Sequence, residues 1–321
     1  MDYVLQSQNL VKSFGKVRAV DNVNIHVPKG SIYGLVGRNG AGKTTFMKMA
    51  VGLTTASQGN IEIFGKKGFD IAEVRKEVGN LVEAPGIYGN LTAFDNLKAK
   101  CIFMGVKDQK NYINNLLELV GLGKTGSKKT KKFSLGMKQR LGIAMAMVGD
   151  PELLILDEPI NGLDPQGVAE MRDMLTKINK EKGTTIVISS HILSELSKVA
   201  TCYGFIEQGK LVKEISSEDL FEECKQHVKL IVDNIDKTIE VAKSIGIENY
   251  KVKGENSLNL YDCEERSAEI NKALNDAGVA VSEIKIGRID LESYFFNLIN
   301  GVGVSADSEV QLGKVTKGEN E

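Results

Sequence analysis

Gly37, Arg38, Asn39, Gly40, Ala41, Gly42, Lys43 and Thr44 form an uninterrupted run in which three glycines lead into a lysine and a threonine. Glycines at that spacing let successive backbone N–H groups turn inward on phosphate oxygens, and a helix that follows adds the partial positive charge of its N-terminus. Lys43 then reaches the β- and γ-phosphates, and the Thr44 hydroxyl is placed to ligate Mg²⁺. The chemistry implied is the binding of a nucleoside triphosphate. A second cluster lies at Leu153 to Pro159, where an apolar run ends in Asp157 and Glu158. A buried strand delivers its last residues to the carboxyl edge of a sheet, where phosphate ligands of α/β folds sit. Asp157 would hold Mg²⁺, directly or through water, and Glu158 would orient or deprotonate an attacking water. A third is Phe133 to Arg140, in which Ser134 fits a helix N-cap and the residues after it expose free N–H groups, a second anion site. One triphosphate rarely needs two helix N-termini in one chain, which points to a site shared between subunits.

These residues need a scaffold, and the hydrophobic pattern supplies one. Apolar runs at Ser31 to Val36, Leu153 to Leu156 and Thr185 to Ser189 alternate with helix-like stretches at Thr45 to Gly52, Val168 to Lys182 and Leu193 to Ala200. That order predicts an α/β fold with a parallel sheet and right-handed crossovers. Between about Pro85 and Gly149 the periodicity turns helical, so a helical insertion is expected there. The first domain is drawn at 1–219 and an accessory α+β domain at 220–300, with strands at His227 to Val232, Tyr250 to Val252, Leu258 to Tyr261 and Val281 to Ile286. Helices are expected at Ile235 to Ile245, Ala268 to Ala277 and Asp290 to Ile299, the last packing Leu291, Tyr294, Phe295 and Leu298 on one face. Residues 301–321 lack aromatics and are expected to be disordered.

Bulk properties narrow the classes. At 321 residues and 42% hydrophobic, the chain has room for one large domain and a smaller one. A formal net charge of −1 argues against a surface built for polyanions, so no nucleic-acid partner is expected. The lysine run Lys124, Lys128, Lys129, Lys131 and Lys132 has no interleaved aromatics to stack bases and reads as a solvated loop, with a nucleic-acid or anionic-lipid patch as the other reading. Four scattered cysteines and three scattered histidines fit reduced thiols and offer no metal-ligand spacing. No stretch approaches the roughly 20 apolar residues that span a bilayer, and the first residues lack a leader pattern, so a soluble, non-secreted chain is expected.

The series of phosphate loop, Ser134 helix start with Lys138-Gln139-Arg140, Asp157-Glu158-Pro159, Gly162-Leu163-Asp164-Pro165 and Ser189-Ser190-His191 closely resembles the ATP-binding subunits of ABC transporters, over about residues 2–217. The resemblance implies a P-loop NTPase sheet that hydrolyses ATP with Mg²⁺, and a head-to-tail dimer in which Ser134 and Gly136 of one subunit close on ATP held by the phosphate loop of the other. It implies that Phe14 stacks on adenine, that Asp164 links the two sites across the interface, and that His191 contacts the γ-phosphate. Whether the second ATPase subunit is an identical copy stays open.

Two departures from the family pattern stand out. Phe133-Ser134-Leu135-Gly136-Met137 keeps the signature's serine and second glycine but loses its first glycine and its glutamine. Glu83 occupies the position of the usual Mg²⁺-contacting, coupling glutamine; it either ligates the metal or only transmits motion. Together with Glu83 to Thr92 these departures resemble the bacitracin and lantibiotic resistance exporters, which implies a separate membrane-spanning subunit and a peripheral position on the cytoplasmic face of the cell membrane. Another drug or a lipid-like substrate is the alternative cargo. An ABC-type ATPase acting on ribosomes or DNA would carry two ATPase units or a long coiled coil, and neither occurs. A P-loop kinase or GTPase is disfavoured because the guanine-reading Asn-Lys-x-Asp pattern is missing.

Overall fold

The computed structural model describes residues 2–67, 71–287 and 290–300, so the expectation for 301–321 lies outside the described residues. The chain divides into two compact units, Met1–Ser217 and Glu218–Glu321.

The first unit is built on a six-stranded sheet in the order 210–216, 202–207, 32–36, 185–190, 153–156, 78–81. The last five run parallel, and only Lys210–Ser216 is antiparallel to its neighbour. Ile32–Val36, Leu153–Leu156 and Thr185–Ser190 are buried along their whole length. Helices cover both faces of such strands, which is why they read as unbroken apolar runs. The register is level, Leu81 beside Leu156 and Leu156 beside Ile188, so the strands finish together at one edge. Phe46 and Met47 of the helix Lys43–Ala50 pack with Leu35, Ile155, Val187 and Ile206 in the main core.

Three pieces of this unit escape the apolar pattern. Tyr3–Phe14 pairs with Val17–Val23, His26–Pro28 and Gln58–Ile63 in an antiparallel sheet whose register shifts at bulges, which blurs the period of two. Val78–Leu81 contains Gly79, where a side chain would run into the Ala146 carbonyl, so close helix approach rather than hydrophobicity selects the residue. Cys202–Glu207 and Lys210–Ser216 form a hairpin between them. The expected helix at Leu193 to Ala200 is shorter, Leu193–Leu196. Between the core strands lie the helices Ala93–Phe103, Gln109–Leu119 and Leu135–Ala146.

After the helix Ser217–Cys224 the second unit runs strand, helix, strand, strand, helix, strand, with sheet order 250–254, 257–260, 227–232, 281–287, all antiparallel. Val228, Leu230 and Val232 alternate onto one face with Leu258 and Leu260 and pack against Ala242, Ile270 and Leu274 of the helices Ile235–Ser244 and Ser267–Asp276. The final helix, Leu291–Ile299, is capped by Asp290, whose carboxylate accepts from Ser293 N at 2.8 Å. Its buried face is centred on Tyr294 and Asn297, not on Leu298, which is only half-buried. The Tyr294 hydroxyl donates to Glu223 at 2.8 Å, so this face is chosen by a polar anchor rather than by the most apolar residues.

Candidate functional site

The level carboxyl edge of the six-stranded sheet gathers the predicted residues. Val36 leads into Gly37, Leu156 into Asp157, Ser190 into His191, and Leu81 into the turn that carries Glu83. At Gly42, φ is +109° and a Cβ would collide with the Ala19 carbonyl, so only glycine closes the loop against the neighbouring strand. Gly40, Ala41, Arg38 and Asn39 complete the turn, with Ala41 N donating to Arg38 O at 3.1 Å. Thr45 follows Thr44 in the first turn of the helix.

Lys43 is 4% exposed, and its Nζ donates to the carbonyls of Gly37 at 2.7 Å and Arg38 at 3.2 Å. The same Nζ lies 3.2 Å from Glu158 Oε1. His191 Nδ1 stands 2.9 Å from the other oxygen of Glu158. Glu158 thus sits between two basic nitrogens, and its backbone is left-handed at φ +48°, a conformation a non-glycine residue adopts only when its surroundings hold it there. Its amide donates to Ser189 Oγ at 2.8 Å, which fixes the strained turn.

Asp157 is nearly buried, and both its oxygens are directed by hydroxyls: Thr44 Oγ1 donates at 2.8 Å and Ser189 Oγ at 2.7 Å. Carboxylate plus hydroxyl oxygens suit a hard cation such as Mg²⁺. Among the described residues no group of three His, Cys, Asp or Glu side chains gathers as an all-protein metal site. A cation here would therefore take its remaining ligands from phosphate or water. Ser189 was not singled out from sequence, although it begins the Ser-Ser-His run that pointed to His191; its service to Asp157 and Glu158 together is visible only in space.

Other expected residues take no part in these contacts. Phe14 ends its strand with 55% of its surface exposed, and Lys12 Nζ lies 5.0 Å from its ring centroid. Glu83 is left-handed at φ +66° and pairs with Lys48 of the helix Lys43–Ala50, a partner that no local sequence pattern marks. Ser134 caps Leu135–Ala146, its Oγ accepting from Met137 N at 3.3 Å. Asp164 caps Pro165–Lys182, accepting from Gly167 N at 3.0 Å. Ser134, Gly136 and Asp164 line one cleft of about 490 Å³ with Gly162, Arg140 and Glu170, the last two ion-paired at 3.1 Å. Among the described hydrogen bonds, none joins this cleft to Lys43, Asp157 or Glu158. The structure therefore brings the phosphate loop, Asp157, Glu158 and His191 into one group and Ser134, Gly136 and Asp164 into another.

A phosphate loop, an aspartate bridged to its threonine and a glutamate at a strand end define a nucleoside triphosphatase of the α/β class. The model of the ABC transporter family matches residues 20–161. The bacitracin transport ATP-binding protein BcrA of Enterococcus faecalis is 40% identical over 95% of this chain and 99% of its own length. The lantibiotic transport ATP-binding protein SrtF of Streptococcus pyogenes is 46% identical over 68% of this chain and 95% of its own. A dimeric ATP-binding cassette in a post-hydrolysis state with ADP and Pi superposes with a TM-score of 0.60, at 22% identity, over 66% of this chain and 98% of that one, and so shares its fold. The chain belongs to the ATP-binding subunits of ABC transporters, and is an ATPase. No helix among the described residues is long and apolar enough to cross a membrane.

Proposed function

We propose that this chain powers export of a peptide antibiotic such as bacitracin or a lantibiotic, acting through a separate membrane-spanning subunit as a peripheral protein on the cytoplasmic face of the membrane. The observation that carries the chemistry is the contact of Glu158 with both Lys43 and His191 beside the Thr44–Asp157 pair. The cargo class is supported by the printed functions of the two relatives, one matched over nearly the whole length of both chains.

In this reading the loop amides from Gly37 to Gly42 and the Lys43 ammonium hold the β- and γ-phosphates. Mg²⁺, held by Thr44 and Asp157, would neutralise charge on the phosphate oxygens. Glu158 orients the attacking water and takes up its proton, while His191 fixes the Glu158 carboxylate and faces the γ-phosphate. Phe14, exposed at a strand end, offers its face to adenine. Ser134 and Gly136 supply the second helix N-terminus to ATP on a second copy of the ATPase subunit, and Asp164, in the same cleft, carries the state of one site to the other. The separation of the two groups within one chain supports sharing between subunits.

The test is complementation in a mixed dimer. Lys43→Ala subunits and Ser134→Arg subunits are each expected to be inactive alone, whereas a mixture restores one intact composite site and measurable hydrolysis. No recovery, with mixed dimers demonstrated, sinks the shared-site reading. Sensitivity of cells to a panel of peptide antibiotics, with and without this chain, tests the cargo class.

A further inference from the structure

Asn96 and Thr130 are polar side chains with 0% exposure that the hydrolysis reading does not use. Both are directed at the backbone of Tyr88. Asn96 Oδ1 accepts from Tyr88 N at 2.8 Å, and its Nδ2 donates to the carbonyls of Tyr88 at 3.2 Å and Thr92 at 2.8 Å. The amide thus imitates a neighbouring strand. Thr130 Oγ1 donates to the same Tyr88 carbonyl at 2.9 Å, and Thr130 N donates to Leu91 O at 2.9 Å. Lys131 N adds a bond to Gly89 O at 2.9 Å, and Thr92 pairs with Lys129 in a single antiparallel bridge. The helix start that carries Asn96 is itself pinned by a capping box: the Thr92 hydroxyl donates to Asp95, which holds that carboxyl below the usual aspartate range.

The two strands of chain so joined come from different parts of the site. Upstream, the Tyr88 segment leaves the left-handed turn of Glu83. Downstream, Thr130 opens a 3-10 turn whose carbonyl accepts from Phe133 N at 3.1 Å, and the chain then enters the Ser134 cap. Phe133 is buried, so this short lead has little freedom to absorb a displacement. A junction of buried, directional hydrogen bonds resists slippage in a way that apolar contact does not, because each broken bond leaves a desolvated polar group.

We propose that Asn96 and Thr130 are positioning residues for ATP hydrolysis, fastening the segment that leaves Glu83 to the segment that enters Ser134 so that one cannot shift without the other. The proposal rests on the shared-site reading, in which Ser134 acts on the partner's nucleotide. It assigns to the helical insertion a mechanical link between the coupling glutamate and the signature serine.

Energetic coupling is the physical warrant for such a link, and a double-mutant cycle measures it. ATP hydrolysis by the full chain is measured for Glu83→Ala, Ser134→Ala and the double variant, first with Thr130 native, then with Thr130→Val and with Thr130→Ser. With Thr130 native the two changes are expected to be non-additive by about fivefold, within the range for residues in one network. In Thr130→Val, which keeps the shape and removes the donor, the effects are expected to become additive; in Thr130→Ser the coupling returns. Coupling that survives Thr130→Val, or that is absent with Thr130 native, overturns the proposal while leaving the shared site standing. If Ser134→Ala alone does not change hydrolysis, the shared-site reading itself falls, and this proposal with it. Should Thr130→Val lose cooperative thermal unfolding, Asn96→Asp, which keeps the acceptor and loses both donations, takes its place with the same outcomes expected.

Discussion

The two units differ in where charge is buried. In Met1–Ser217 the buried Lys43, Asp157, Ser189 and Ser190 lie at one strand edge, with charges and hydroxyls directed at one another and at the space beyond the strand ends. In the Glu218–Glu321 unit the core is aliphatic, and its buried polar side chains are dispersed: Thr238 Oγ1 donates to Asn234 O at 2.7 Å at a helix start, while His227 and Asn259 lie in strands and Asn297 in the final helix. Among the described residues, left-handed non-glycine backbone occurs at eight positions of the first unit, Asn9 and Phe64 among them, and at Asp262 of the second; Glu83 and Glu158 lie at the carboxyl edge of the six-stranded sheet. Strain of that kind persists only where the surroundings over-determine it, as at a binding site. The comparison teaches that the buried charges, Lys43 and Asp157, are gathered where the nucleotide chemistry is, whereas the second unit's core is aliphatic.

The largest effect should come from within the first unit. Glu158→Gln keeps the side chain's shape but removes the carboxylate that faces Lys43 and His191. Hydrolysis is expected to fall by about 10²- to 10⁴-fold, the range for loss of a general base, with ATP affinity retained and an ATP-bound dimer accumulating. Near-native turnover would move the catalytic role elsewhere and erase the contrast between the units.

A change of the second kind is Leu230→Ala, at a fully buried position of the accessory sheet. The loss expected is about 2–5 kcal/mol of stability in that unit, the usual range for truncating a buried leucine. ATP affinity of the first unit is expected to stay within about twofold, since each unit has a hydrophobic core of its own. Thermal unfolding followed beside nucleotide titration checks both halves; a matching loss of ATP affinity would show that the units are energetically one.

The smallest effect is expected at Glu83. Glu83→Gln gives up the ion pair with Lys48, whose Glu83 side chain is 63% exposed, so the pair is worth only about 0–1 kcal/mol. It also removes one negative charge from the turn after Leu81, at the sheet edge that carries Asp157 and Glu158. Nucleotide affinity across a magnesium titration is expected to be equal or slightly better, whereas Glu83→Ala should reduce antibiotic tolerance in cells more than it reduces ATP binding. If both variants match the native chain in both assays, Glu83 is an ordinary loop residue.

The sequence by itself determined what depends on neighbours along the chain. The glycines of the phosphate loop, the Ser134 cap, the apolar run before Asp157 and the alternating strands of the second unit are local rules written in consecutive residues, and each lies in the structure where its pattern put it. Tertiary structure alone decided what depends on residues far apart. Ser189 became the bridge to Asp157 and Glu158 because two parallel strands end level. Glu83 found Lys48 across a turn, and Asn96 and Thr130 met on the backbone of Tyr88. Gly79 and the bulged first sheet hid their strands because helix approach and register shifts, not side-chain periodicity, shaped them. A one-dimensional pattern records which face of an element is apolar; it does not record which polar atom a hydrogen bond will reach once the elements have packed.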